Sequence, residues 1–306
     1  MDLWNHYHTP VSVEEALQLL ASHAGAARVI AGGTDLVIDL QYVQTHHKLD
    51  ALVDVTRIPE MTQVTSDDST CTIGAAVTHT KIVKSALLEA RATCLVESCG
   101  VVGGPQVRNV GTLGGNVAHA LPAGDGTTSL VALGADALVA WADGRREWLP
   151  IGQMFKGPGV SALDSSKDVL VAFRFRLSEK NEGSAFKRIM RPQGVALPIL
   201  GCAIWVRLTP DHNRYEDVRI CIGPVSPTPS RAEAVEAALR GGPVGVDAVE
   251  RAVSVARETL HPRTSKYRAT GEYRVEMIDT LLRRALPLAV ERARTGVAHA
   301  EGVGLS

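Results

Sequence analysis

Residues 108–126 read "RNVGTLGGNVAHALPAGDG". Five glycines and one carboxylate, Asp125, stand here without the paired acids, bases or thiols that acid–base or nucleophilic chemistry requires. Glycine lacks a Cβ, so such a stretch lets a bulky anion approach several main-chain N–H groups at once. A second cluster, "AGGTDL" at 31–36, follows the apolar strand "ARVI" and has the same character. Thr34 and Thr112 add hydroxyls and Asn116 an amide, so a diphosphate would suit both. Taken singly, each cluster is equally suited to a tight turn between strands. Neither is a P-loop, because no Lys-Ser or Lys-Thr follows the last glycine, and neither has the GxGxxG spacing of a Rossmann site.

Outward from these clusters the pattern is α+β. Ser12 opens a helix, with Glu15 completing a capping box and Val13, Ala16, Leu17 and Leu20 on one face. Strands are expected at 27–33, 36–42 and 51–55, a hairpin over 62–75, and a second at 141–149 where Asp143-Gly144 suits a type I′ turn. Helical periodicity covers 79–99, and "DGTTSLVALGADALVAW" reads as a helix running into a strand. After loop-like punctuation at 150–166 come strands at 168–177, 198–209 and 214–222, then helices at 230–240, 247–260 and 272–294. A boundary is expected near residue 180, in "SEKNEG".

Composition narrows the function class. The 306 residues suit about two domains, and 45% hydrophobic with 21% charged residues is ordinary for a globular protein. No apolar run reaches the roughly 20 residues of a membrane span, and "MDLWNHYHTPVS" lacks the features of a secretory signal, so a cytoplasmic location is expected. With 32 basic against 33 acidic residues there is no one-sided charge of the kind that binds nucleic acid or anionic lipid. Cys71, Cys94, Cys99, Cys202 and Cys221 form no CxxC pair and read as buried thiols. His6, His8, His46 and His47 are not spaced to converge on a metal, and His79 in "VTHTK" reads as a structural donor at a helix start.

Five segments occur in this order: "RVIAGGTDL", "TIGAAVTHT", "VGGPQVRNVGTLGGNVAHALPAGD", "AFKRIMR" and "SPTPSRAEAVEAALRG". Together they resemble the FAD-binding medium subunit of the molybdenum hydroxylases, the group that includes xanthine dehydrogenase and carbon monoxide dehydrogenase. The resemblance spans nearly the whole chain. It implies a two-lobed FAD-binding domain of the vanillyl-alcohol-oxidase type (PCMH type) over residues 1–180, with lobes of about 1–58 and 59–180. A smaller C-terminal domain of sheet and helices follows over 181–306.

By the same likeness FAD lies between the lobes. Val29, Ile30, Ala31, Gly32, Gly33, Thr34, Asp35 and Leu36, with Thr112, Leu113, Gly114, Gly115 and Asn116, would hold the diphosphate and its surroundings. Asp125 matches the acid that contacts the cofactor's polar parts, or alternatively caps the helix starting near Gly126. Val102, Leu170 and Lys187 also match, and a cation at Lys187 would favour the anionic reduced flavin; the alternative is a solvated strand lysine. His119 and Leu121 depart from the commoner family wording, and 191–198, "RPQGVALP", offers no aromatic to cover a flavin ring.

The implied role is electron transfer: from [2Fe-2S] clusters of a small partner subunit, through FAD, to NAD+ or another acceptor. Hydroxylation would occur on a large molybdopterin subunit, in a heterotrimer or its dimer. No catalytic acid or base is then needed in this chain. Two other readings stay open: a structural or assembly subunit with a degenerate flavin site, and a free-standing flavin oxidoreductase.

Overall fold

The structure is a computed structural model describing residues 3–42, 49–191, 197–266 and 268–302. The chain begins with β1 (Trp4–His8), α1 (Val13–Ser22), β2 (Ala27–Ile30), α2 (Leu36–Tyr42) and β3 (Leu49–Asp54), and the strands form a parallel sheet in the order β1-β3-β2. Ser12 Oγ accepts the Glu15 N–H at 3.1 Å, and Val13, Ala16 and Leu20 are buried, as the capping pattern predicts. The strand expected at 36–42 is instead α2. Two parallel neighbours such as β2 and β3 need a crossover between them, and α2 lies on that crossover.

The next part contains β4 (Val64–Ser66), β5 (Thr70–Gly74), α3 (His79–Val83), α4 (Ala86–Arg91), α5 (Thr93–Gly100), α6 (Pro105–Val110), α7 (Leu113–Ala118) and α8 (Asp125–Leu133). Then come β6 (Asp136–Ala140), β7 (Arg146–Pro150), β8 (Phe155–Gly157), β9 (Val160–Ser161) and β10 (Val169–Arg176). The order β4-β5-β10-β6-β7 makes an antiparallel sheet, with β8 and β9 as a separate small ribbon. Both expected hairpins form. The second is not type I′: Trp141 O accepts from Gly144 N, and Gly144 has φ +84° while Asp143 does not share that region. This is the turn-plus-glycine-bulge alternative for joining twisted strands. The helical stretch 79–99 divides into α3, α4 and α5, because Ser85 Oγ caps a new start at Leu88 N and Ala92 leaves helical geometry.

The last part is an antiparallel meander, β11 (Glu182–Met190), β12 (Pro198–Leu208) and β13 (Tyr215–Gly223), followed by α9 (Glu233–Leu239), α10 (Val246–Thr259) and α11 (Gly271–Thr295). Period-2 alternation gives this sheet two buried faces. Ala185, Ile204, Val206 and Ile220 pack with Ala252, Leu282 and Ala289 in one core, while Phe186, Ala203, Trp205 and Cys221 join the core that includes Leu95 and Leu130. Helices α5 and α8, buried along their whole lengths, therefore lie between the five-stranded sheet and the meander.

A charge sits in that joint. The buried Glu97 of α5 accepts from Arg292 at 2.7 and 3.2 Å, from Phe186 N at 2.7 Å and from Glu301 N at 2.9 Å. Four donors satisfy a carboxylate that burial would otherwise penalise severely. The five cysteines are all buried and free, as their spacing predicts.

Candidate functional site

A cavity of about 510 Å³ opens between the first loop, the α6–α8 region and the end of the meander. Its first wall is the loop between β2 and α2, and Val29, Ile30, Ala31, Gly32, Gly33, Thr34, Asp35 and Leu36 all line it. Gly33 adopts φ +66°, the left-handed region that glycine enters without a steric penalty. At Gly32 a Cβ would lie 2.1 Å from Val110 O and 2.8 Å from Gly111 Cα, so only glycine lets this loop rest on the chain just before Thr112. The N–H groups of Gly32, Gly33, Thr34 and Asp35 donate to no acceptor among the described residues. Four main-chain donors are thus free at the cavity wall, an arrangement suited to an anion.

The second glycine cluster is different. Thr112, Gly115 and Asn116 line the cavity, but Leu113 and Gly114 do not. Leu113 N donates to Val77 O at 3.0 Å, Gly114 N to Ala75 O at 2.8 Å, Gly115 N to Thr112 Oγ1 at 3.0 Å and Asn116 N to Thr112 O at 3.0 Å. A Cβ on Gly114 would lie 2.5 Å from Ala75 O. This glycine brings α7 onto the chain after β5, and its amide is engaged there. Asn116 Oδ1 accepts from Thr127 N and Oγ1 at 3.1 and 3.2 Å, tying α7 to α8.

The opposite wall is charged. Asp125 is the first residue of α8, where Gly124 occupies the cap position, so its carboxylate is not the cap that sequence also allows. Its Oδ2 accepts from Arg188 at 2.7 Å, with both side chains buried. Desolvation raises the Asp125 carboxyl to about 6, against the opposing pull of Arg188 and Arg268. Arg268, which donates to Pro198 O at 3.1 Å, also lines the cavity, and burial lowers its own pKa. The buried Arg188 Nε has no partner among the described residues.

Of the remaining sequence-derived positions, Val102 lines the cavity, while Leu170 is a buried residue of β10 outside the lining. Lys187 is outside it too. It ion-pairs with Glu301, whereas the next residue of β11, Arg188, reaches the cavity. Strand alternation sends neighbours to opposite faces, so the cation at the cavity lies one position from the one the resemblance implies.

His79, read from sequence as a structural donor, also lies at the cavity. Its backbone N donates to Gly111 O at 3.0 Å, but its ring lines the cavity and neither ring nitrogen has a partner among the described residues. Desolvation, then the nearby Arg108, lowers it to about 4, so it is neutral at neutral pH. His119, one of the departures from the family wording, stands 3.8 Å from Asp35 and links α7 to the first loop. Leu197 and Pro198 line the cavity, while 192–196 of "RPQGVALP" lie outside the described residues. His46 and His47 are likewise outside them, and among the described residues no group of three or more potential ligands is placed to hold a metal.

These residues fit a dinucleotide. Free amides suit its phosphates, and the buried His79 Nδ1 and Arg188 Nε, without partners among the described residues, add two polar atoms on residues lining the same cavity. The comparisons agree with that chemistry. A family model described as the FAD binding domain in molybdopterin dehydrogenase matches residues 3–175, and one described as the CO dehydrogenase flavoprotein C-terminal domain matches 184–289. The xanthine dehydrogenase FAD-binding subunit of Escherichia coli O157:H7 is 30% identical, with 94% of this chain and 96% of that protein covered. The carbon monoxide dehydrogenase medium chain of Hydrogenophaga pseudoflava is 31% identical, covering 94% of this chain and 97% of that one. A solved carbon monoxide dehydrogenase from Hydrogenophaga pseudoflava, lacking the Mo-pyranopterin moiety of its cofactor, superposes with a TM-score of 0.85 at 30% identity over 94% of this chain and 98% of that chain. Among the described residues no helix is long and apolar enough to cross a membrane.

Proposed function

Because this chain belongs to the family of FAD-binding subunits of molybdopterin dehydrogenases, we propose that it is their electron-transfer subunit, holding FAD in the cavity between the first loop and the Asp125–Arg188 wall. The single observation that carries the placement is the set of four unengaged amides at Gly32–Asp35. FAD, when bound, supplies the redox chemistry, exchanging single electrons or pairs.

The chain's own residues hold and orient it. The amides of the first loop bind the diphosphate without any lysine, and Gly32 keeps that loop against the segment leading into Thr112. Thr112 and Asn116 mainly fix α7 and α8, so the second cluster contributes the Gly115 surface and the Asn116 amide group rather than further backbone donors. Asp125 acts through Arg188, which it orients toward the cavity. His79 stays neutral and offers a ring nitrogen.

In this reading the FAD-binding domain covers residues 1–180, in lobes of about 1–58 and 59–180, and the C-terminal domain covers 181–306. The second buried core, drawn wholly from residue 185 onward, supports the division, while Phe186, Ala203, Trp205 and Cys221 of the C-terminal part pack in the first. Electrons arrive from [2Fe-2S] clusters of a small partner subunit and leave to NAD+ or another acceptor, while a large molybdopterin subunit carries out the hydroxylation, in a cytoplasmic heterotrimer or its dimer.

The test is to purify the chain with its natural partners, release the flavin by denaturation, identify it by chromatography and assay the complex for iron and molybdenum. FAD in equal amount to the chain, with both metals in the other subunits, is the expected result. A colourless chain would return the assembly reading, and a yellow chain that never associates would return the free-standing one.

A further inference from the structure

We infer that the buried Arg188–Asp125–Arg268 cluster, and not Lys187, sets the reduction potential of the flavin, by forming a positively charged wall for the part of the cofactor that becomes negative on reduction. The inference rests on the proposed function and assigns the cluster a task within it.

The cavity has two chemically distinct regions. The first loop offers neutral amides, and these suit the permanent charge of the phosphates. Across from it, Arg188 pairs with Asp125 while Arg268, held by Pro198 O, lines the same wall without bonding that carboxylate, so the wall has an excess positive charge even with Asp125 ionised. Both side chains of the Arg188–Asp125 pair are almost wholly removed from solvent, where a charge acts far more strongly than at the surface. Asp125 Oδ2 occupies one arm of Arg188 at 2.7 Å, and Nε has no partner among the described residues.

Once the phosphates are bound by amides, the adenosine and the ribityl chain carry no charge to meet that wall. The isoalloxazine would, since taking up two electrons and one proton would give it one negative charge that Arg188 and Arg268 are placed to meet. A positive wall stabilises that state over the oxidised one and so raises the potential. Lys187 cannot act in this way, because Glu301 neutralises it and it does not line the cavity.

The experiment is an equilibrium redox titration of the flavin in the purified complex, followed by its visible absorption, for wild type, Arg188→Met, Arg268→Met, Arg188→Lys and Lys187→Met. Each methionine variant at the wall should weaken reduced FAD relative to oxidised FAD by about tenfold or more, read as a fall in midpoint potential. Arg188→Lys should restore most of the shift, and Lys187→Met should leave the midpoint in place. If Arg188→Met fails to load because Asp125 is left unpaired, Arg268→Met read against Lys187→Met still decides the matter. Unchanged midpoints in the flavin-loaded methionine variants of the wall overturn the inference, as does an equal fall in Lys187→Met. Weaker loading with an unchanged midpoint would likewise overturn it, assigning the wall to the permanent phosphate charge. A wild-type chain free of FAD is a separate result, which removes the functional reading itself.

Discussion

The loops "AGGTD" and "TLGGN" look alike in sequence and do opposite work. In the first, Gly33 turns the chain and the amides of Gly32 to Asp35 are left to the cavity. In the second, every amide from Leu113 to Asn116 is engaged within the protein, and Gly114 is required by the proximity of Ala75. A glycine pair therefore signals a close backbone approach without saying whether a ligand or the protein's own chain makes it.

That contrast can be broken most sharply at Gly114. Gly114→Val forces a branched side chain into Ala75, and the flavin-free protein should lose about 3 kcal/mol or more in urea unfolding. An unchanged unfolding curve with only FAD lost would mean that the second loop is a ligand loop like the first.

His79, whose backbone is bonded to Gly111 beside the meeting point of the loops, gives the next largest effect. Its folded pKa, about 4 against 6.5, is depressed. The unfolded chain therefore takes up the proton first, and stability present above pH 6.5 is lost as pH falls toward 4, by about 3 kcal/mol. Asp125, raised to about 6, works in the opposite direction, favouring the fold as pH falls through that value. His79→Gln should flatten the acid side of a stability–pH series, and a curve that keeps its slope would contradict the buried neutral ring.

Gly33→Ala places a Cβ at φ +66° and should cost the flavin-free protein about 1–2 kcal/mol. Its more telling effect is a tenfold or greater loss of FAD affinity in fluorescence titration, about the worth of one charge-assisted hydrogen bond. Smallest is Thr112→Val, which removes the α7 cap and should lower stability by about 1 kcal/mol while changing FAD affinity less than Gly33→Ala does. The reverse order of affinities would erase the distinction between the loops.

Much of the scaffold was legible. The Ser12 cap, both hairpins and the three C-terminal helices follow from local patterns that tertiary packing did not override. Residues 36–42 misled because "LVIDLQY" is short and apolar enough to suit either element, and the parallel pairing of β2 and β3 decides it from outside the segment. β1, with three exposed side chains of five, shows little hydrophobic alternation. In the site, the first loop stood out in the sequence because its residues are contiguous. Arg188 and Arg268 did not, since eighty positions separate them and only the fold sets both beside Asp125. Nor can sequence say which of Lys187 and Arg188 faces the cavity, because alternation fixes that they differ without fixing the phase.

Glu97 leaves one consequence for how the molecule is made. Its donors include Arg292 and Glu301, which are 195 and 204 positions further along the chain. As the polypeptide leaves the ribosome, the first lobes can condense around α5, yet this carboxylate lacks its protein donors until Arg292 and Glu301 emerge. The cofactor cleft, walled by both halves, likewise lacks part of its lining until Pro198 and Arg268 have been made.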